Sequence, residues 1–588
     1  MADKTLDRSS PDNDVRWDHR WGYTDTRFIV HDDRSIELTG SRYNLAGYRM
    51  YDFIPFLESQ LGISFDPNNR VDERPDKPVP APVRNEPFIA ALQSAFSERH
   101  YSLDDRERLI RSHGQTTADE IYKVMYGELE RVADLIFFPE SEADVETLVS
   151  LASEHNVCVV PYGGGTSVSC ALKLPRFEER MIVVADTRRM NKILWIDEEN
   201  RQVCAEAGIT GKDLEDALHA RGYTTGHEPD SIELSTLGGW IATNSSGMKK
   251  NRYGNIEEIV ENVSMVTPRG VVEQAMAAPR VAMGMQPQRL LFGSEGNLGL
   301  ITKAVLRLHK LPEVKRYGSV VFPDFPTGVA FLRELADRGV LPASVRLVDN
   351  LQFRFGQALK PKSTGLKAFE SKIQKFFLTR VRGFDPKKMA ATTLVMEGGE
   401  DEVALQEKLV YGLAKKHGGI RGGSSNGQRG YMLTYAIAYI RDFMAEYHVL
   451  GETYETTVPW DKVVEVCDAV QHEARVQHDK FGLPGKPFVS PRVTQLYRTG
   501  VCIYFTHGVC VRGIDDGAEV FGQIERAIRE KIMSLGGSIS HHHGVGKLRK
   551  PFLPDTLSPS SIALIRGLKH ASDPQNVFGI NNNVIGDD

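Results

Sequence analysis

The sequence predicts a multidomain α+β protein, and three observations support this prediction. The chain has 588 residues, more than one hydrophobic core usually serves, so about two to four domains are expected. Hydrophobic residues make up 41% and charged residues 26%, as in ordinary soluble globular proteins. Strand-like and helix-like patterns alternate after Ala133, around one glycine-rich turn.

The alternating pattern opens with a predicted strand over 136–139 and closes with another over 157–161. Between them, Ser141 and Asp144 have the spacing of a helix-capping box. Apolar residues then follow at helical spacing, namely Val145, Leu148, Val149 and Ala152. Three further strands are predicted downstream, at MIVVAD (181–186), KILWID (192–197) and QVCAEAG (202–208). These elements predict an α/β unit built around the turn after residue 161.

Composition and termini exclude several classes of protein. A net charge of −6 argues against a general nucleic-acid binder, and no nucleic-acid partner is expected. The six cysteines have no paired spacing, so we expect reduced thiols. The start MADKTLDRSSPDND has no apolar core of a signal peptide, and no apolar run is long enough for a membrane span.

The glycine-rich turn is GGGTS, residues 163–167. Glycine permits positive φ angles and a close approach of the backbone to a ligand, so that successive N–H groups form an anion-binding nest. Pyrophosphate is a natural occupant of such a nest. The turn differs from both the G-x-G-x-x-G fingerprint and the P-loop. Taken alone, it is equally compatible with a plain glycine turn between strands.

Three later stretches have a similar character. Residues 227–258 form a long polar, glycine-rich and hydroxyl-rich segment, and loops of this length usually line sites. Residues 290–308 add another glycine turn before a predicted strand. Residues 540–550, SHHHGVGKLRK, hold three consecutive histidines. In an extended segment they cannot all bind one ion, because alternate side chains leave opposite faces. We therefore predict no metal site, but a turn that meets an anionic group.

In their order and residues, these stretches resemble the vanillyl-alcohol-oxidase type of FAD-binding domain. Within that group, the chain resembles the alkyldihydroxyacetonephosphate synthase family over roughly residues 100 to 585. The histidine triplet followed by Gly-Val-Gly-Lys is the most specific mark of the resemblance. The other stretches that carry it are PYGGGTSVS, HEPDSIELSTLGGWIATNSSGMKKNRYGNIE, FGSEGNLGLITKA, PASVRLVDN, RDFMAEYHVLGETYETTVPWDKV and VCIYF.

The resemblance implies a particular domain order. We expect a partly helical N-terminal region over 1–128 and an FAD-binding domain of the vanillyl-alcohol-oxidase (PCMH) type over 129–311. An α+β cap domain that contacts substrate is expected over 312–495. The C-terminal stretch 496–588 is expected to return to the flavin domain and complete its site.

The resemblance also implies a reaction in ether-lipid biosynthesis. The fatty acyl chain of acyl-dihydroxyacetone phosphate is exchanged for a long-chain fatty alcohol, which gives alkyl-dihydroxyacetone phosphate and a fatty acid. In the family account, flavin N5 holds the three-carbon unit covalently between the two half-reactions, and no net electrons move. We find no nicotinamide motif, in agreement with a redox-neutral reaction.

Catalytic roles follow from the resemblance. Tyr504 matches the family's acid/base tyrosine, although a tyrosine in an aromatic strand is more often core packing. His541, His542 and His543 match its active-site histidines, and imidazole is suited to relay protons near neutral pH. We expect His543 and Tyr504 to act on the same substrate carbon.

Three basic residues are expected to bind substrate. Arg441 would hold a carboxylate or a phosphate, and its alternative is a helix-end arginine that faces solvent. Arg346 matches a family arginine near the flavin, and its alternative is an ion pair with Asp349. Lys547 is expected to hold phosphate, with a solvated basic face as the alternative.

The cofactor is expected to be FAD, bound noncovalently. Relatives use histidines for covalent flavin attachment, which makes His227 the residue to consider, but we predict that it forms no such bond. The predicted FAD contacts are Pro161, Tyr162, Gly163, Gly164, Gly165, Thr166, Ser167, Asp230, Ser231, Ile232, Glu233, Leu234, Ser235, Thr236, Thr243, Asn244, Ser245, Ser246, Glu295, Gly296, Asn297, Leu298, Gly299, Leu300 and Ile301.

Partners and location are expectations from the resemblance alone. They are a homodimer, peripheral contact with a membrane, and the lumenal side of the peroxisome, although the final GDD differs from a Ser-Lys-Leu address. The amphipathic segment 366–384 is either a core helix or an element over a lipid entrance. Two other functions stay open: an FAD-linked 2-hydroxyacid dehydrogenase or oxidase of the same fold, and a non-enzymatic flavin-binding scaffold or lipid-binding protein.

Overall fold

The structure is a computed structural model that describes residues 15–17, 20–43, 45–71, 78–275, 278, 281–361 and 377–585. It divides into two compact units. The first unit comprises Met1–Glu73 and Pro312–His541, and the second comprises Arg74–Leu311 and His542–Asp588. The division therefore passes through the histidine triplet.

In the part of the chain that the structure describes, the second unit contains three sheets. The first sheet has four strands, and its last three are parallel, in the order Tyr101–Ser102, Leu135–Phe137, Ile182–Asp186, Cys158–Tyr162. The second sheet has five antiparallel strands, in the order Gly270–Val272, Val260–Thr267, Leu300–Arg307, Gln202–Glu206, Ile193–Asp197. A two-stranded ribbon pairs Tyr223–Thr224 with His309–Lys310.

The helices of the second unit cover these sheets. The helix Glu142–Glu154 begins as the sequence predicts, because the Ser141 hydroxyl accepts the Asp144 N–H at 3.2 Å. Its buried side chains are the four predicted from helical spacing. The other helices are Glu86–Ala95, Asp105–Ile110, Ala118–Tyr126, Gly211–His219, Leu237–Thr243, Lys250–Tyr253, Ile256–Ile259, Leu553–Thr556 and Pro559–Ser572.

The first unit is built on an antiparallel sheet of seven strands. The strand order is Ile420–Arg421, Val314–Phe322, Ala390–Gly398, Ser344–Val348, Phe488–Leu496, Gly500–Cys510, Val449–Pro459. A separate three-stranded sheet comes from the N-terminal segment, with strands Phe28–Val30, Ile36–Leu38 and Arg49–Met50. The helices are Phe53–Leu61, Phe325–Asp337, Asn350–Ala358, Glu400–Lys416, Ser424–Met432, Ile437–Ala445, Val463–Lys480 and Gly517–Ser534.

The unit boundaries differ from the predicted domains at both ends of the chain. The chain passes from the second unit to the first after Leu311, and the N-terminal region is shared between the units at Glu73. Residues 496–541 lie in the first unit and not with the flavin-binding segments. The cause is the strand Gly500–Cys510, which pairs on both sides with strands of the seven-stranded sheet.

Two further features of the structure concern membrane spans and cysteines, and a third expectation concerns the segment 366–384. Within the described residues, no helix is both long and apolar enough to cross a membrane. All six cysteines lie in the described part of the chain, and none forms a disulfide. Residues 362–376, which hold most of the amphipathic segment 366–384, lie outside the described residues.

Candidate active site

The glycine turn lies directly against a second predicted cofactor segment. A Cβ atom on Gly164 would be 2.1 Å from the carbonyl oxygen of Leu234, and one on Gly163 would be 2.4 Å from Thr236 Oγ1. Gly165 has a φ of +75°, in the region that favours glycine. Glycine is therefore required here by close backbone approach as well as by conformation.

The segment before the helix Ala118–Tyr126 supports this turn. The Gln115 N–H donates to the Gly165 carbonyl at 2.7 Å. Glu120, which is buried, in turn accepts the Gly114 N–H at 2.8 Å. Burial raises the pKa of the Glu120 carboxyl, and the Gly114 N–H acts against that rise. Backbone hydrogen bonds thus fix the conformation of the turn.

The turn after the histidine triplet is held by an acidic side chain of the protein itself. Glu295 Oε1 accepts the N–H groups of Val545 at 2.6 Å and Gly546 at 3.0 Å. Burial raises the pKa of Glu295, while these N–H donors lower it. The Glu295 side chain, which the sequence assigns to the cofactor, is therefore engaged in holding this turn.

The basic residues after the histidines are also engaged inside the second unit. Lys547 Nζ donates to Asn582 Oδ1 at 2.8 Å, and burial lowers the pKa of this ammonium to about 8. Arg549 is 1% exposed and donates to the Gly544 carbonyl at 3.0 Å. Lys547 and Arg549 therefore do not form a solvated basic face. If Lys547 binds phosphate as predicted, it does so with an ammonium that already donates a hydrogen bond to Asn582.

His227 is a buried neutral histidine. It is 1% exposed, its Nε2 lies 3.1 Å from Ser245 Oγ, and its ring centroid lies 4.6 Å from that of Trp240. Burial, with a smaller contribution from His542, lowers its pKa to about 3. His227 Nδ1 has no hydrogen-bond partner among the described residues.

The second unit has the features that an FAD site requires. Buried polar atoms without a partner among the described residues occur beside three of the predicted cofactor stretches, at Ser169 Oγ, His227 Nδ1 and Ser294 Oγ. An unsatisfied buried polar group costs about 1–3 kcal/mol, so a polar ligand that reached these atoms would be stabilised. Together with the glycine cradle, they fit a ligand with a phosphate and many hydrogen-bonding groups, as FAD has.

Some predicted cofactor residues have other roles in the structure. The side chains of Leu298, Leu300 and Ile301 pack in hydrophobic cores. The Asn297 side chain donates to the Ser294 carbonyl at 2.9 Å and accepts the Asn582 N–H at 3.0 Å. These four side chains stabilise the segment 295–301 from inside the protein. The sequence alone does not distinguish them from residues of the same motif that contact a ligand.

In the first unit, Tyr504 occupies the middle of a row of polar residues across three strands. Arg492 and Glu455 are its direct cross-strand partners on either side. Direct partners in antiparallel strands point to the same face of the sheet. The guanidinium carbon of Arg492 lies 4.7 Å from the centroid of the Tyr504 ring, close enough for a cation–π contact. A core tyrosine would have apolar neighbours in these positions.

Glu455 links this row to the first histidine of the triplet. Its carboxylate accepts the Ser540 hydroxyl at 2.7 Å and the backbone N–H of His541. His541 Nε2 lies 2.5 Å from the hydroxyl of Tyr497. Glu455, the cross-strand neighbour of Tyr504, thus also holds the backbone of His541 within the first unit, whereas His542 and His543 belong to the second unit.

Arg346 contacts Thr434 and Tyr431, whereas the alternative offered by the sequence is an ion pair with Asp349. Its Nη1 donates to Thr434 Oγ1 at 2.8 Å, and its guanidinium carbon lies 5.4 Å from the Tyr431 ring centroid. Asp349 instead accepts the Ser490 hydroxyl at 2.6 Å and the Gln352 N–H at 2.9 Å, and burial raises its pKa to about 6.

Arg441 lies on the helix Ile437–Ala445 and is not a solvent-facing helix end. Its side chain is 10% exposed, and its Nε and Nη2 contact Asp442 Oδ1 at 2.9 and 2.5 Å. The other carboxylate oxygen of Asp442 accepts the backbone N–H of Trp21 at 2.7 Å. The N-terminal segment thus fixes the acid that orients Arg441.

Sequence reasoning missed four residues of this site, namely Glu455, Arg492, Tyr497 and Asp442. A signal for the first two was present, because charged residues are rare in the interior of strands that are otherwise buried. Nothing local marked Asp442 or Tyr497, since their roles depend on contacts with distant parts of the chain.

Comparison with known proteins agrees with the geometry of both units. Residues 133–275 match the family of FAD binding domains, and residues 311–580 match the C-terminal domains of FAD linked oxidases. These matches define the class: the protein binds FAD and has the two-domain fold of FAD-linked oxidases.

Individual relatives are more specific. An alkyldihydroxyacetonephosphate synthase of Caenorhabditis elegans is 42% identical over 97% of this chain and 95% of its own, and one of Dictyostelium discoideum is 31% identical over 96% and 92%. A solved structure of an alkyldihydroxyacetonephosphate synthase superposes with a TM-score of 0.83 at 28% identity, over 96% of this chain and 98% of that one. The chain belongs to the alkyldihydroxyacetonephosphate synthase family.

The glycine cradle gives a first prediction. Gly164→Ala should weaken FAD binding by about tenfold or more, because the backbone of 163–165 or of Leu234 must move to admit the Cβ atom. The dissociation constant of FAD is measured by fluorescence titration of the apoprotein. Gly567→Ala is the control, since this helical position has open space around it and should leave FAD binding unchanged. Equal FAD affinity in both variants would contradict the cradle.

His227 gives a second prediction, on pH. Its pKa is about 3 in the folded protein and near 6.5 otherwise, so the unfolded chain takes up a proton that the folded chain excludes. Stability should fall as pH drops from 6.5 towards 3, by up to about 1.4 kcal/mol per pH unit from this group. His227→Gln should remove that component of the slope in urea unfolding, whereas exposed His570→Gln should keep it. An unchanged slope in His227→Gln would show that His227 is not excluded from protonation.

Proposed function

We propose that this protein replaces the acyl chain of acyl-dihydroxyacetone phosphate with a long-chain fatty alcohol. The ester C–O bond to the substrate carbon breaks, the fatty acid leaves as a carboxylate, and the alcohol oxygen forms the new C–O bond as it loses its proton. Electrons balance without an acceptor. The observation that supports this most directly is the row of Arg492, Tyr504 and Glu455, which is suited to proton transfer, in a chain similar to synthases over nearly its whole length.

When bound in the second unit, FAD would supply a nucleophilic ring nitrogen for covalent catalysis without net oxidation. The chain's own residues move protons. The carbon that bears the ester is adjacent to a ketone, and Tyr504 is the candidate to remove its proton. Arg492 stabilises the phenolate that such a base requires, because the cation lies against the ring. Glu455 holds Ser540 and His541 in place, so that the histidine adjoins this row in a fixed orientation.

Arginine supplies the binding of anionic groups. Arg346 is held by Thr434 and Arg441 by Asp442, and both side chains are largely buried. A buried guanidinium in a fixed orientation binds carboxylate or phosphate more strongly than a mobile one, because less side-chain entropy is lost. These two residues suit a substrate that carries a phosphate and releases a carboxylate.

The alternative of a 2-hydroxyacid dehydrogenase or oxidase is not favoured. It shares the FAD-binding segments, but the relatives at 31% identity or more are named synthases. A scaffold without activity is less favoured still, because it would not need the charged row around Tyr504.

We further propose noncovalent FAD, a homodimer, and peripheral attachment on the lumenal side of the peroxisomal membrane. Support for noncovalent FAD is that His227 already contacts Ser245 through Nε2 and is buried against Trp240. Support for membrane contact is that both lipid substrates carry long alkyl chains. The dimer and the location rest on the resemblance to the family.

The test is incubation of the FAD-bound protein with acyl-dihydroxyacetone phosphate and hexadecanol, without oxygen or an electron acceptor. Alkyl-dihydroxyacetone phosphate and one fatty acid per turnover are expected. Tyr504→Phe should lower the rate about 10²- to 10⁴-fold with FAD retained. Tyr454→Phe is the control, because this tyrosine pairs with Phe505 and faces the other side of the same sheet. A strict need for an acceptor would contradict the proposal, as would equal rates in the two variants.

A further inference from the structure

Two basic side chains of the first unit lie together, and neither is paired with an acid among the described residues. Lys360 follows the helix Asn350–Ala358, and Arg429 lies in the helix Ser424–Met432. Both donate to one acceptor, Asn426 Oδ1, at 3.5 Å from Lys360 Nζ and 2.9 Å from Arg429 Nη2. The two cationic groups are therefore within a few ångströms of a common point.

No negative charge compensates this pair among the described residues. Neither Lys360 nor Arg429 forms an ion pair with a described carboxylate, whereas Arg20, Arg42, Arg441 and Arg529 of the same unit each do. Both are half-buried. Burial lowers the pKa of both groups, and with the charge of Arg429 it brings the pKa of Lys360 to about 8. Like charges that share a half-buried site repel each other unless an anion joins them.

The local backbone adds to the positive potential. The helix Ser424–Met432 begins after Gly423, which has no side chain to cap it, and its first turn contains no acidic residue. Asn426 thus lies in the first turn, where the helix dipole favours an anion. The Asn426 amide also donates to the Gly422 carbonyl at 2.6 Å, which fixes the orientation of the shared oxygen.

The position of this pair relates it to the substrate-binding residues of the same unit. The opposite face of the helix packs on the sheet, where a Cβ on Gly427 would lie 2.1 Å from the Gly318 carbonyl oxygen. The chain then continues through Tyr431 to Thr434, and both of these contact Arg346. In the chain, Arg429 is therefore close to Tyr431 and Thr434, the two residues that contact Arg346 of the candidate active site.

We propose that Lys360, Arg429 and the amide of Asn426 form a binding site for a phosphate monoester. A lysine supplies a point charge and an arginine supplies a planar fork, a combination that suits a tetrahedral dianion. This inference rests on the proposed function for the identity of the ligand, which is then the phosphate of acyl-dihydroxyacetone phosphate. A phosphate headgroup at a membrane surface presents the same chemistry.

The experiment first measures binding of inorganic phosphate to the FAD-bound protein, from the rise in melting temperature relative to sodium chloride of equal ionic strength. Lys360→Met and Arg429→Met should each weaken phosphate binding by about tenfold or more, since a charge-assisted hydrogen bond is lost. Lys408→Met, which changes an exposed lysine on the helix Glu400–Lys416, should match the wild type.

Two further measurements distinguish the source of the phosphate. If the ligand is the substrate, KM for acyl-dihydroxyacetone phosphate rises in both variants while kcat is retained, and binding to phosphatidylcholine vesicles with phosphatidic acid is unchanged. If the ligand is a headgroup, vesicle binding weakens and KM for a short-chain soluble substrate is unchanged. Either result supports an anion site at this pair.

Phosphate stabilisation of equal size in the wild type, both variants and the control would overturn the proposal. Failure of the proposed function has a different signature. In that case, the wild type would give no alkyl product, while phosphate binding would still depend on Lys360 and Arg429.

Discussion

The candidate catalytic face depends on one constraint, the antiparallel register that places Tyr504 between Arg492 and Glu455. Successive side chains in a strand alternate between faces, so a slip of one residue would turn Tyr504 to the opposite side of the sheet. The long ladder between Val449–Pro459 and Gly500–Cys510 prevents such a slip. The same register brings a cation to the tyrosine ring on one side and, on the other, a carboxylate that holds His541.

The second unit shows how buried charge organises a ligand site. Glu295 fixes the turn after the histidines by accepting the Val545 N–H, and Lys547 in the same turn donates to Asn582. The glycine turn approaches its neighbour so closely that a single methyl group would displace the backbone. Beside three of the predicted cofactor stretches, buried polar atoms have no partner among the described residues, as is expected where a cofactor supplies the missing hydrogen bonds.

Local features of the fold could be predicted from the sequence, and features that depend on distant pairing could not. The Ser141 cap, the helix that follows it and the need for glycine at 163–165 are encoded within a few residues. The membership of Gly500–Cys510 in the seven-stranded sheet is not, because its partners are set by strand order. For the same reason, Glu295 looked like a ligand contact and Glu455 was overlooked: each acts on a loop far away in the chain.

The claim that Arg492 stabilises the ionised form of Tyr504 is tested most directly by the pH dependence of kcat/KM. The limb of the profile that belongs to Tyr504 is the one lost in Tyr504→Phe. In Arg492→Met, the account predicts that this limb moves to higher pH with FAD content unchanged, and that Arg492→Lys restores part of the shift, because a cation then returns beside the ring. A limb at the same pH in the wild type and Arg492→Met would contradict the account.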